Sequence, residues 1–248
     1  IHVDLWGTYV TTPEINDSQA TVNVATRLRN SLQEKAEVKV CQYILDADGK
    51  TVAYADGFMT VPADTTAESS LQLTLKAPRR WSIDDPYLYT VHTQIIADGQ
   101  TIDSYDSPLG IRTFRFDAEK GFFLNEKPVK IKGVCMHHDL GCLGAAVNER
   151  AIERQLEMLK AMGCNAYRCS HNPPAPEVLD LCDRMGLIVM DESFDMWRKR
   201  KTTYDYSRFF NEWYERDLTD LVMRDRNHPS IFIWSLGNEV LEQWTDIN

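Results

Sequence analysis

The segment Gly163-Cys-Asn-Ala-Tyr-Arg-Cys169, continued by Pro176-Glu-Val-Leu-Asp-Leu-Cys-Asp-Arg-Met185 and Gly186-Leu-Ile-Val-Met-Asp-Glu192, reads as strand, helix, strand. Gly186 stops the helix, and Leu187-Ile-Val-Met190 is a continuous apolar run of the kind buried on both faces of a parallel sheet. The same grammar repeats outward. Upstream, Glu149 to Met162 carries Ile152, Leu156, Leu159 and Met162 at helical spacing, with Gly163 where a C-terminal cap belongs. Before it, Val129-Lys-Ile-Lys-Gly-Val134 is strand-like. Downstream, a helix from about Tyr206 to Arg226 is halted by Asn227-His228-Pro229, and Ser230-Ile-Phe-Ile-Trp-Ser235 follows as another buried strand. The order β-α-β-α-β-α-β predicts parallel pairing through right-handed crossovers, hence a doubly wound sheet or a (β/α)8 barrel. No G-x-G-x-x-G and no G-x-x-x-x-G-K-[ST] follows a strand, which weighs against a nucleotide-binding sheet. Reactive types fall at the carboxyl ends of the strands: His137-His-Asp139, Arg168 with His171, Asp191-Glu192 and Asn238-Glu239. In a barrel those ends converge on one mouth.

Up to about Asp117 the period is two. Val22, Val24 and Leu28 alternate with Asn23, Arg27 and Arg29, and Leu71, Leu73 and Leu75 repeat the pattern. Asp48-Gly49 and Asp98-Gly99 stand between such runs as hairpin turns. Short strands with turn signals and no helix predict an immunoglobulin-like sandwich, without the Cys-Trp-Cys pattern of antibody domains. The fold expected is therefore an immunoglobulin-like β-sandwich over residues 1–117, then the N-terminal half of a (β/α)8 TIM barrel over 118–248.

Composition narrows the function classes. A net charge of -10, from 27 basic and 37 acidic residues, argues against a nucleic-acid partner, which needs a clustered basic face. The dense basic run Arg198-Lys-Arg-Lys201 reads as a solvated loop. No run approaches the roughly 18 apolar residues of a membrane helix, so no membrane partner is expected. The six cysteines show no C-x-x-C, which predicts mostly buried free thiols in place of a zinc or redox site. The chain opens on Ile1 in strand-like sequence and reads as an excerpt, so compartment and oligomeric state stay open, a homo-oligomer included.

The fifteen residues Asp225-Arg-Asn-His-Pro-Ser-Ile-Phe-Ile-Trp-Ser-Leu-Gly-Asn-Glu239 resemble the acid/base signature of glycoside hydrolase family 2, which contains β-galactosidases, β-glucuronidases and β-mannosidases. Asn165-Ala-Tyr-Arg-Cys-Ser-His-Asn-Pro173 with Leu179-Asp-Leu-Cys-Asp183 is similar to the family's other signature, departing at Asn172 where the family usually has Tyr. Trp81-Ser-Ile-Asp-Asp-Pro-Tyr-Leu-Tyr89, and the join from Gly110-Ile-Arg112 to Gly121-Phe-Phe-Leu-Asn125, are similar to its sandwich and barrel entry. The resemblance implies retaining hydrolysis of a terminal β-galactoside, the substrate choice resting on Asp191-Glu-Ser-Phe-Asp-Met-Trp197 and Thr203-Tyr-Asp-Tyr206, with a β-glucuronidase or β-mannosidase of the same family as the alternative.

The residues fit that chemistry. Glycosidic cleavage needs an acid to protonate the leaving oxygen and a second carboxylate opposite the anomeric carbon. Glu239 suits the first role, where partial burial beside another carboxylate would favour its protonated form. The resemblance gives Asn238 a hydrogen bond to the sugar 2-hydroxyl. Arg168 and His171 can orient carboxylates and bind hydroxyls, or Arg168 can form an ion pair at the mouth with Asp191 or Glu192. His137 and Asp139 lie two apart and face one side as sugar contacts or as structural groups, with His138 opposite. Asp195 and Trp197 can form a subsite wall, or Trp197 can pack a loop. The family's nucleophile stands at the end of the seventh strand. Residues 118–248 fall well short of the about 250 of a complete barrel. Glu242 and Asp246 lie too close to Glu239 in sequence to stand across a sugar from it. The expectation is half a catalytic site, inactive alone and using no cofactor. Some members hold Mg²⁺ beside the acid/base through an acid and a His after the third strand. The corresponding stretch here runs through Met196 and Arg198, so those ligands are unmatched. The readings from other classes are a metal-dependent barrel hydrolase using His137, His138, His171 and Glu192, and a non-catalytic carbohydrate-binding module.

Overall fold

A computed structural model describes residues 1–244. Asp246, named above, lies outside them. The chain divides into two compact units, Ile1–Thr113 and Phe114–Asn248.

The first unit has seven antiparallel strands: β1 (His2–Ile15), β2 (Gln19–Asn30), β3 (Ala36–Leu45), β4 (Thr51–Val61), β5 (Thr65–Lys76), β6 (Tyr89–Ala97) and β7 (Gln100–Leu109). They form two sheets, β1-β2-β5 and β4-β3-β6-β7. The alternation in β2 is complete, with Ala20, Val22, Val24, Thr26, Leu28 and Asn30 all buried. Asp98 and Gly99 both take positive φ, 51° and 75°, which is what a two-residue turn needs to join β6 and β7 without splaying them. Three of the buried polar residues, Thr26, Gln42 and Thr93, meet between the sheets. Gln42 Nε2 donates to Thr26 Oγ1 at 2.9 Å and Thr93 Oγ1 donates to Gln42 Oε1 at 2.9 Å, so one buried amide ties β2 of one sheet to β3 and β6 of the other. Each polar group is bonded, which removes the penalty of burying it.

The second unit begins with a small antiparallel sheet, β8 (Phe114–Asp117), β9 (Gly121–Leu124) and β10 (Lys127–Pro128). Phe114–Asp117, read from the sequence as the end of the sandwich, pairs instead with Gly121–Leu124. Then come β11 (Gly133–His137), α1 (Glu149–Ala161), β12 (Ala166–Ser170), α2 (Pro176–Met185), β13 (Ile188–Glu192), α3 (Ser207–Asp225) and β14 (Ile231–Ser235). The four strands lie in chain order and all neighbours are parallel. That is the first half of a barrel's connectivity. Asn148 caps α1 by accepting from Ala151 N, and Gly186 closes α2 at φ 71°. Ile152, Leu156 and Leu159 pack with Val178, Leu179, Leu181 and Cys182 onto Tyr167, Val189 and Ile231, so helix burial covers one face of the sheet. No helix among the described residues is long and apolar enough to cross a membrane.

The cysteines depart from expectation. All six are free, but Cys135 and Cys142 are exposed and Cys164 is intermediate. Cys135 lies on β11, at one edge of the sheet, on the face away from α1 and α2, and Cys142 lies in a short 3-10 turn.

Candidate active site

Strand register brings the site together. Arg168 on β12 pairs with Met190 on β13, and Glu192, two residues on, therefore projects to the same face and pairs with Ser235 on β14. Glu192 has no solvent exposure, and the surrounding groups neutralise it. Arg168 Nη2 donates to its Oε2 at 2.9 Å, Ser235 Oγ donates at 2.6 Å, and His171 Nδ1 stands 2.8 Å from Oε1. The ion pair foreseen for Arg168 thus forms with Glu192. Asp191 points to the opposite face.

Asp191 is fully buried, with no hydrogen-bond donor at either oxygen, and it faces Asp225, whose carboxylate is held by Arg224 at 2.6 Å. Burial first and the Asp225 charge second push the Asp191 pKa up to about 8. The native state therefore holds a proton that the unfolded chain releases near 3.8, the ordinary value for an aspartate. Stability from this group falls as pH rises from there toward about 8. Asp191→Asn, which cannot ionise, is expected to flatten that slope and to raise the urea midpoint at pH 8 more than at pH 5. An equal change at both pH values would contradict the assignment.

The turn after β14 carries Asn238 and Glu239. Its local shape needs Gly237, because a Cβ there would meet Trp197 Nε1 at 2.9 Å and Val240 Cγ2 at 2.7 Å. Trp197 packs on Phe210 and donates from Nε1 to Leu236 O at 2.9 Å, so the indole braces the turn from beneath and has its donor occupied. Asn238 is buried and central. Its N–H donates to Phe194 O at 2.9 Å, its Oδ1 accepts from Arg168 Nη2 at 2.9 Å, and its Nδ2 donates to Asp195 Oδ1 at 3.0 Å. Asp195 is held below the usual carboxylate range: burial alone would raise it, but the hydrogen bonds from Lys201 and Asn238 outweigh that.

Glu239 departs from expectation. Its side chain is 79% exposed, so the expected burial is not found, and its nearest charged partner is Lys201 Nζ at 3.6 Å from Oε2, an ammonium it shares with the Asp195 carboxylate. The half-barrel offers no opposing wall at that turn. Asp139 departs as well. It lies past the end of β11 on a turn and spends its carboxylate on Gly141 N at 2.6 Å, away from the Arg168 cluster. His137 sits edge-on to His171 with ring centroids 5.1 Å apart, at the rim of that cluster.

Two site residues escaped the sequence reading. Lys201, assigned to a solvated run, has its side chain only 18% exposed and bonded to three oxygens, whereas Arg198 and Lys199 beside it are exposed. Cys135, two residues before His137 and so on the same face, takes a bond from Arg168 Nη1 at 3.4 Å, which holds its thiol below the ordinary range. Its spacing from His137 was the one available signal.

The residues do not build a metal centre. His138 Nε2 lies 2.9 Å from Ala145 O, away from His137 and His171, and no group of three His, Cys, Asp or Glu side chains that could hold a metal occurs among the described residues. At the Mg²⁺ positions suggested by resemblance, Met196 is buried and Arg198 Nε bonds Asn211 Oδ1 at 3.0 Å. That pair does not fit a divalent cation.

Comparisons with known proteins agree with this fold. The family model described as glycosyl hydrolases family 2 matches residues 1–112, and the one described as glycosyl hydrolases family 2, TIM barrel domain, matches residues 117–246. Beta-galactosidase BoGH2A of Bacteroides ovatus is 60% identical over 246 residues, covering 99% of this chain and 29% of that protein. A beta-glucuronidase of Bacteroides fragilis is 31% identical over 241 residues, 95% of this chain and 34% of that protein. A crystal structure of a glycosyl hydrolase family 2 member from Bacteroides cellulosilyticus superposes with a TM-score of 0.95 at 44% identity, covering 98% of this chain and 32% of that one. The chain thus spans about a third or less of the relatives it matches. With its sandwich, its four parallel strands and its Asn238-Glu239 turn, this chain belongs to glycosyl hydrolases family 2.

Proposed function

We propose that these residues carry the acid/base half of a retaining β-galactosidase, with Glu239 as the general acid and base. The observation that carries the reading is the Asn238–Glu239 turn, locked at the carboxyl end of a parallel sheet by the Arg168–Glu192–His171 cluster. In the first step protonated Glu239 gives its proton to the departing glycosidic oxygen. In the second the same carboxylate takes a proton from water. Asn238 spends one amide N–H on Asp195, which leaves the other for the sugar 2-hydroxyl. Arg168, His171 and His137 line the ring side. Asp195 and Trp197 act by bracing the turn, Asp195 through Asn238 and Trp197 through Leu236.

The second carboxylate falls outside these 248 residues. Glu192 is buried and taken by three partners, and Asp195 is taken by Lys201 and Asn238. The reaction proposed uses no metal and no cofactor. Galactose is preferred over glucuronate as the sugar because the 60% identical Bacteroides ovatus relative is a β-galactosidase.

The test uses the whole enzyme that carries these residues and the 248-residue chain side by side. The whole enzyme is expected to hydrolyse nitrophenyl β-galactoside faster than the glucuronide, with the first-formed galactose in the β configuration by NMR. The isolated chain is expected to show no turnover. Inverted product, preference for the glucuronide, or turnover by the isolated chain would each overturn the corresponding part of the reading.

A further inference from the structure

Lys201 comes from the loop between β13 and α3, yet its ammonium lies inside the turn that ends β14. Nζ donates to Asp195 O at 2.7 Å, to Asp195 Oδ1 at 2.9 Å and to Asn238 O at 2.8 Å. An ammonium has three N–H bonds, and all three are used. The same nitrogen lies 3.6 Å from Glu239 Oε2. The Asn238 carbonyl belongs to the peptide that sets φ of Glu239, and that φ is 46°, a left-handed value a glutamate adopts at a cost. Gripping that carbonyl fixes the plane from which the Glu239 side chain departs.

We propose that Lys201 is the positioning residue that aims Glu239, and that its ammonium provides the positive charge beside the acid/base in place of a divalent ion. The proposal rests on the reading of Glu239 as acid/base. With its donors filled and its side chain largely covered, Lys201 does not bind the sugar. It acts through the turn.

A residue that only stabilises the fold lowers turnover of every substrate alike. One that aims the proton matters in proportion to how much the leaving oxygen needs it. In the whole enzyme, Lys201→Met is expected to lower kcat/KM for phenyl β-galactoside about 10-fold or more, a part of the 10²–10⁴ available from general acid catalysis. For the dinitrophenyl galactoside, whose leaving group departs without a proton, the loss is expected to stay within about 3-fold of wild type, which also reports that the variant is folded. Lys201→Gln, similar in length and uncharged, is the second variant and is expected to show the same selectivity. Dialysis of the wild type against EDTA is expected to leave both values unchanged. Equal losses on the two substrates, no loss on either, or EDTA inactivation reversed by Mg²⁺ would overturn the proposal. If Glu239→Ala shows the leaving-group selectivity and the Lys201 variants do not, the assignment of Glu239 survives and that of Lys201 fails. A whole enzyme without glycosidase activity would remove both.

Discussion

Glu239→Ala in the whole enzyme is expected to lower kcat/KM for phenyl β-galactoside by about 10²–10⁴, the contribution of a positioned proton donor. The same substitution is expected to cost far less with the dinitrophenyl galactoside, because a dinitrophenolate is stable enough to leave unprotonated. Its second step is nonetheless slowed, since no base remains to activate water, so the glycosyl-enzyme accumulates and a burst of dinitrophenolate precedes slow turnover. Azide, a nucleophile that needs no base, is expected to speed that step and to yield the β-galactosyl azide. Each outcome follows from the double use of one carboxylate. Uniform loss on both substrates, with no burst and no azide product, would show that Glu239 does something other than move protons.

The second large effect is on stability. Arg168→Met leaves the Glu192 carboxylate, 0% exposed, with His171 and Ser235 but without its bidentate cation. Removing one partner of a buried pair costs about 3–5 kcal/mol, and the lower end applies here because Arg168 keeps 29% side-chain exposure. Urea unfolding is expected to show a loss of about 3 kcal/mol at unchanged slope. Pairing it with Glu192→Leu is expected to recover much of that loss, since no charge is then left without a partner. A single-variant loss below about 1 kcal/mol would mean that the pair behaves as an exposed one.

What was legible in the sequence was whatever is written locally. The alternation of Val22, Val24 and Leu28 and the helical spacing of Ile152, Leu156 and Leu159 each repeat within a few residues, and Gly163 and Gly186 punctuate them with positive φ. Adjacent Asp191 and Glu192 show where that legibility stops. In a strand covered on both faces, alternation says that they point apart but not which of them faces the helices. Lys201 was unreadable for a related reason: nothing in Arg198-Lys-Arg-Lys201 distinguishes the lysine that turns inward to two carbonyls from the exposed residues beside it. The expected site contact of Asp139 failed because it depended on which side chains would stand around it, a matter of tertiary placement, whereas Glu239 is exposed because four strands of a barrel leave its turn without a facing wall.

The Leu236–Glu239 turn is secured by Phe194, Asp195, Trp197 and Lys201, four residues of one loop that lies more than thirty positions upstream. Such loops are where barrel enzymes accept insertions and acquire new substrates. With Glu239 read as the acid/base, altering that loop to admit another aglycone is expected to disturb proton delivery in the same stroke. A mutation there is pleiotropic, so selection or engineering for a new substrate has to retain those four anchors or pass through variants that bind sugar and turn it over slowly.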